Sequence, residues 1–171
     1  LWALLGMLVY ILYKHVGLTP MQVTCLVALK PASSLLSPYW SQAIYKRPDK
    51  LMANLLGANF LRYFVFLWIP WIHSAWFIIL AFGLYMTLTR ATIPAWTEIF
   101  RWNLPSGQRE KLVGYATTID YLGAAAFSIL LGIILDLYPT YWMWIFAVSG
   151  FLGLLSTSLL FFMRPNSEDF L

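Results

Sequence analysis

Six apolar stretches, separated by short links rich in proline, glycine and basic residues, constrain this chain more than any other feature. They run over Leu1–Tyr13, Met21–Ser41, Leu51–Trp71, Ser74–Thr97, Leu112–Leu135 and Tyr141–Met163. A helix needs about 20 apolar residues to cross a hydrocarbon core of about 30 Å. A membrane β-strand is only about ten residues long and alternates strictly. These runs are longer and do not alternate, so the spacing predicts helices. The first run falls short, because about 13 helical residues rise only about 20 Å. With Leu rather than Met at position 1, the expectation is a helix that starts upstream, in a fragment of a longer chain. A signal peptide is disfavoured, since no basic segment precedes the run and no small-residue cleavage site follows it.

Composition decides where such helices belong. Of 171 residues, 61% are hydrophobic and only 11% are charged, against roughly a quarter charged in soluble domains. A globule of this size leaves roughly a third of its unfolded surface wet, too little interior for so many apolar side chains. A soluble enzyme, a disordered tail and a nucleic-acid binder are thereby excluded, and a lipid bilayer is the expected partner. Cys25 is the one cysteine. This excludes a disulfide framework and a multi-thiolate metal site, and neither metal nor cofactor is expected.

The links carry turn chemistry. Gly17 to Pro20, Lys46-Arg47-Pro48-Asp49-Lys50, Pro70 to His73, Arg101 to Lys111 with Pro105-Ser106-Gly107, and Asp136 to Thr140 all punctuate the apolar runs. Short links make consecutive helices antiparallel neighbours, so the fold class expected is an all-α, up-down transmembrane bundle. One set of links collects Lys46, Arg47, Lys50, Arg101, Arg109, Lys111 and Arg164, while the other collects Lys14. The positive-inside rule places the first set in the cytoplasm and accounts for the net charge of +4 without an acidic partner. Aromatic residues mark the same boundaries. Trp68, Trp71, Trp76, Tyr138, Tyr141, Trp142 and Trp144 lie at the outer side, and Tyr39, Trp40, Tyr45, Trp96 and Trp102 at the inner side, where an aromatic belt is expected.

With these residues in place, the chain resembles one six-helix half of a major facilitator superfamily transporter, more closely the N-terminal half. Gly17 to Val23 looks like the outer link after that family's first helix, and Ser37 to Lys50 like its inner loop between helices two and three. Thr87 to Pro165 has the spacing of its helices four to six. It has an inner Pro94, Glu98, a basic link ending in Arg109-Glu110-Lys111, a small-residue helix five closing on Asp136, and Met163-Arg164-Pro165. The family's loop pattern G-x-L-A-D-R-x-G-R-R falls on Ser41 to Lys50 and survives in Lys46, Arg47 and Lys50. Its leading Gly, its Asp and its second Gly are replaced. The resemblance implies alternating access in the cell membrane and a second six-helix half. It further implies a central cavity lined by helices one and four, with helices two and five against the other half.

Four ionisable residues fall inside the expected spans: Lys30, Arg62, Arg90 and Asp120. Each costs at least about 2.5 kcal/mol at the bilayer centre, so each should face the interior, water or a partner. From the cytoplasmic helix ends, Arg90 and Asp120 both lie at about 12 Å, Arg62 at about 16 Å and Lys30 at about 22 Å. A salt bridge between Arg90 and Asp120 is the simplest account of that pair, either as a packing device or as a protonatable switch. Polar residues recur with the bases: Ser34, Ser37 and Ser41 with Lys30; Gly83, Thr87, Pro94 and Thr97 with Arg90; Asn59 with Arg62. Such a stripe faces an aqueous cavity or another helix. By the resemblance, Arg90 is the foremost solute-contact candidate, followed by Lys30, Arg62 and Thr87. The surplus of positive charge favours a small anionic solute. On helix five, Gly114, Thr118, Ala125, Ser128 and Gly132 form a small-residue face suited to close helix contact.

An intramembrane enzyme fits less well. A membrane serine protease needs Ser and His at one level. Ser149-Gly150 is preceded by Ala147 where that pattern wants Gly, and both His15 and His73 fall in links. No Asp-Asp pair, HExxH or phosphate loop occurs. The alternative class is a structural or assembly subunit of a membrane complex, with paired charges and no cavity.

Overall fold

The computed structural model describes residues 2–47, 50–103 and 105–160. Leu1, Pro48, Asp49, Leu104 and the segment 161–171, including the Arg164 counted with the basic face, lie outside the described residues. The described chain is all-α, with no strand. Its helices are α1 (Trp2–Val16), α2 (Pro20–Tyr45), α3 (Leu51–Phe64), α4 (Ala75–Asn103), α5 (Ser106–Leu137) and α6 (Trp142–Leu160). Single 3-10 turns over Val65–Trp68 and Pro139–Tyr141 extend α3 and introduce α6.

Local chemistry sets the first boundary. Gly17 takes φ +66°, a left-handed conformation that glycine adopts without a Cβ penalty, and it ends α1. Thr19 and Gln22 then cap α2 reciprocally. The Thr19 N–H donates to Gln22 Oε1 at 2.9 Å, and the Gln22 N–H donates to Thr19 Oγ1 at 3.3 Å. Pro20 sits at the first helical position, where its missing N–H costs nothing.

One buried cluster joins the C-terminal ends of α1, α3 and α5 to the N-terminal ends of α2, α4 and α6. Ile11, Leu18, Phe66, Ile78, Leu131 and Phe146 all belong to it, so consecutive helices alternate in direction. Its centre is aromatic. Phe66 meets Phe82 edge-on with ring centroids 5.0 Å apart, and Phe82 meets Phe146 at 5.5 Å. Offset and edge-on pairs of this kind suit the aromatic quadrupole. At the opposite end, Leu51 and Leu55 of α3 pack with Ala95 and Ile99 of α4, which makes α3 and α4 antiparallel. The main packing partners are α2 with α4, α3 with α4 and α6, and α1 with α5.

The close approach expected on α5 is found instead on α6. A Cβ on Gly150 would meet Phe66 Cβ and the Tyr63 carbonyl oxygen, each at 2.9 Å, and one on Gly153 would overlap the Tyr63 ring. Around Gly114 of α5 no atom lies within 4 Å of such a Cβ. The Gly114 end of that α5 face therefore does not serve close packing within the described chain. The small residues of α6 do, because α3 crosses α6 with Tyr63 pressed into the Gly150-x-x-Gly153 groove.

Six spans are expected from the sequence, and four helical segments are long and apolar enough to cross a membrane. They are Leu51–Trp68, Ala75–Arg101, Gly107–Leu137 and Pro139–Leu160. At 15 residues, α1 is short of a full span. At 26 residues, α2 is long enough, but Lys30, three prolines and its run of serines make it too polar. The fifth segment is also longer than its apolar run implies, starting at Ser106 rather than near Leu112, because Pro105 precedes the helix and Gly107 to Lys111 continue it.

Candidate functional site

A cavity of about 670 Å³ opens between α3, α4 and α5. It exists because α4 rests chiefly on α2 and α3 and touches α5 only sparsely. Arg62 of α3 lines it. So do Tyr85, Thr89, Arg90 and Trp96 of α4, and Thr117, Asp120 and Tyr121 of α5. Arg90 lies roughly 20 Å of helix rise before the end of α4, and Asp120 roughly 21 Å after the start of α5. The two therefore share a level, as the sequence implies, but lie deeper than the expected depth of about 12 Å, because both helices run past their apolar segments.

Arg62 is held on three sides. Its Nη1 donates to Thr89 Oγ1 at 3.2 Å and its Nη2 to the Tyr63 hydroxyl at 2.8 Å. The guanidinium carbon stands 4.5 Å from the Tyr63 ring centroid and 5.7 Å from that of Tyr85, within cation–π range. Thr89 in turn donates to the Tyr85 carbonyl at 2.7 Å, so its remaining acceptor capacity is aimed at Arg62. Arg62 Nε and the Asn59 Oδ1 one turn away are buried with no hydrogen-bond partner among the described residues.

Arg90 and Asp120 depart from the sequence expectation. Both line the cavity, Arg90 half-buried and Asp120 exposed, but the expected salt bridge between them is not formed. Among the described residues, the carboxylate–cation contact within 4.0 Å is Glu98–Arg101 at 3.6 Å, one turn apart on α4. The cause is the gap between α4 and α5, which keeps residues at one level from touching.

Thr87 is also corrected. It does not line the cavity, whereas Thr89 does. At 3.6 residues per turn, Thr87 projects about 130° away from the middle of the lining face. Within the same stripe Arg90 reaches the cavity, whereas Gly83 meets α2, receiving the Leu29 side chain 3.1 Å from where a Cβ would stand. Lys30 is exposed on α2 and lies outside the lining. Its carbonyl accepts from Ser33 Oγ at 2.9 Å and Ser34 Oγ at 3.1 Å, so those serines satisfy backbone beside Pro31. Lys46, Arg47 and Lys50 gather at the α2–α3 link and are exposed.

Sequence reasoning missed Tyr63, Tyr85 and Thr89, the residues that fix Arg62. Their spacing carries a signal, since Tyr85 and Thr89 lie one turn apart on α4. Which base they serve depends on how α3 crosses α4.

The described chain is thus an all-α protein in which helices able to cross a membrane by length and composition surround a cavity bearing two arginines and an aspartate. No protein family, curated protein or solved structure matches it.

Proposed function

We propose that this chain is part of a secondary membrane transporter that moves a small anionic solute by alternating access, one half of a major-facilitator-type fold. The observation that carries this reading is the cavity itself. Arg62, Arg90 and Asp120 meet in a space of about 670 Å³ between helices whose outer surfaces are apolar. Ions placed mid-helix are costly in lipid and persist where they serve a solute path. Two guanidiniums against one carboxylate leave the cavity net positive, which favours an anion. Among the described residues Arg90 has no hydrogen-bond or ion-pair partner that competes with a solute, and Arg62 is a rigid second cation in the same cavity.

The rest of the arrangement fits this function. The α5 surface is almost wholly exposed, with Tyr115, Ile119 and Leu122 each about two-thirds accessible, as suits a helix that meets lipid and a second six-helix half. The basic links after α2 and α4 fit a cytoplasmic side for that end by the positive-inside rule, in keeping with a proposed plasma or inner membrane location. A scaffold subunit without transport activity would need its mid-helix charges paired and its helices closed, and an Arg90 without an ion pair among the described residues argues against it.

The test is aqueous access. In the complete protein with Cys25 replaced by Ala, single cysteines at Thr89, Ile93 and Thr117 should react with a membrane-impermeant thiol reagent. Uptake of an anion by reconstituted vesicles should fall to background in Arg90→Gln. Uniform protection of the three cysteines together with undiminished uptake in the variant would remove the transport reading.

A further inference from the structure

The charges of the cavity say more about the solute than its sign. Arg62 is already engaged, its two terminal nitrogens donating to Thr89 and Tyr63 and its face covered by tyrosine rings. Among the described residues, the lining charges left without an ion pair are Arg90 and Asp120. They line one cavity, lie at one level on facing helices, and do not pair with each other. Two opposite charges left apart in a confined space are satisfied together by a ligand that brings both counter-charges. A dianion would satisfy Arg90 and Arg62 but would set its second charge against the Asp120 carboxylate, and like charges in a partly dehydrated site repel. Backbone chemistry adds to this on the cation-binding side. Pro94 lacks the N–H that in a regular helix would bind the Arg90 carbonyl, leaving an acceptor near the same level. Apart from Thr117, the remainder of the lining is apolar and aromatic, with Met86, Ile93, Trp96 and Phe100 on α4 and Val113 on α5.

We infer that the solute is a zwitterion with an apolar body, of the α-amino-acid class. Its carboxylate binds Arg90, its ammonium group binds Asp120, and its side chain lies against Ile93 and Trp96. This rests on the transport reading and revises its solute: the anionic group is kept as a carboxylate, on a molecule that also carries a cation and is not a net anion. In the free protein the arginine and aspartate stay apart because the helices hold them so. When bound, the solute completes the ion pairing and brings α4 and α5 into register across it. Charge-assisted hydrogen bonds at both ends make each end selective.

The experiment is a calorimetric titration of the complete protein in detergent. The probes are L-leucine, L-phenylalanine, their deaminated counterparts 4-methylpentanoate and 3-phenylpropionate, and the dianion succinate. Both amino acids should bind at least about tenfold more tightly than the deaminated acids. Asp120→Asn should erase that preference by weakening the amino acids alone, and Arg90→Gln should weaken all of the monocarboxylates. Thermal unfolding of each variant establishes that it is folded. If succinate or the deaminated acids bind as tightly as the amino acids, the zwitterion inference falls while the anion reading stands. Persistence of the preference in Asp120→Asn also overturns the inference. If none of the five binds, it falls as well, and cysteine access at Thr89, Ile93 and Thr117 then judges the transport reading separately.

Discussion

The Arg62 guanidinium of α3 donates to the Thr89 hydroxyl of α4 at 3.2 Å. This contact joins a mid-helix cation to the wall of the cavity from outside its own helix. Because Tyr63 holds the other end of the same guanidinium, Arg62 is a fixed charge, in contrast to Arg90.

Thr89→Val keeps the volume of the side chain and removes the acceptor. It leaves a charged donor without its partner, which costs roughly 1–3 kcal/mol. Thermal unfolding in detergent should show the loss, and Thr89→Ser should restore most of it. Equal stability of the valine and serine variants would mean that Arg62 does not depend on Thr89.

Arg90 and Asp120 give the opposite expectation. Since no salt bridge joins them, a double-mutant cycle of Arg90→Gln and Asp120→Asn on stability should yield a coupling within about 0.5 kcal/mol. A coupling several times larger would mean that the pair is a packing device.

Gly153 and Gly114 test where the helices press together. Gly153→Ala sets a methyl group into the Tyr63 ring. It should destabilise the protein by about 1–3 kcal/mol, as overpacking does, and displace the tyrosine that holds Arg62. Gly114→Ala meets open space within the chain and gains helix propensity, so its unfolding temperature should be unchanged or higher. A reversed order would contradict the α3–α6 crossing.

The entry to α2 offers a local test. Thr19→Ala removes one half of a reciprocal cap and should cost about 1 kcal/mol. Gly17→Ala, at φ +66°, should cost roughly 1 kcal/mol or more through left-handed strain. Hydrogen exchange at the amides of Met21 to Val23 would report fraying in both variants. Unchanged protection would place the stability of this turn elsewhere.

The all-α class, the alternation of short links and long apolar runs, and the shared level of Arg90 and Asp120 were legible in the sequence. Each depends on period and distance along the chain, which helix geometry fixes at about 1.5 Å per residue. The Gly17 to Pro20 link was legible for the same reason, being local, whereas the reciprocal Thr19–Gln22 cap emerged with the structure. Lateral relationships were not. The polar stripe of Thr87 and Gly83 gives the same pattern whether it meets water or α2. The small residues of α5 and α6 look equally suited to close packing, yet Gly114 meets open space while Gly150 meets Phe66 and the Tyr63 backbone and Gly153 meets the Tyr63 ring.

What the sequence determined by itself is the kind of object this is: apolar helices with a few ions at mid-depth, because a bilayer rewards apolar length and penalises charge whatever the tertiary arrangement. Only the tertiary structure decided which ions meet which partners. Rotation about a helix axis and the gap between two helices are not written into either helix alone; they follow from how all the faces share space. That sharing clasps Arg62 between Tyr63 and Thr89, and it leaves Arg90 and Asp120 lining one cavity without an ion pair between them.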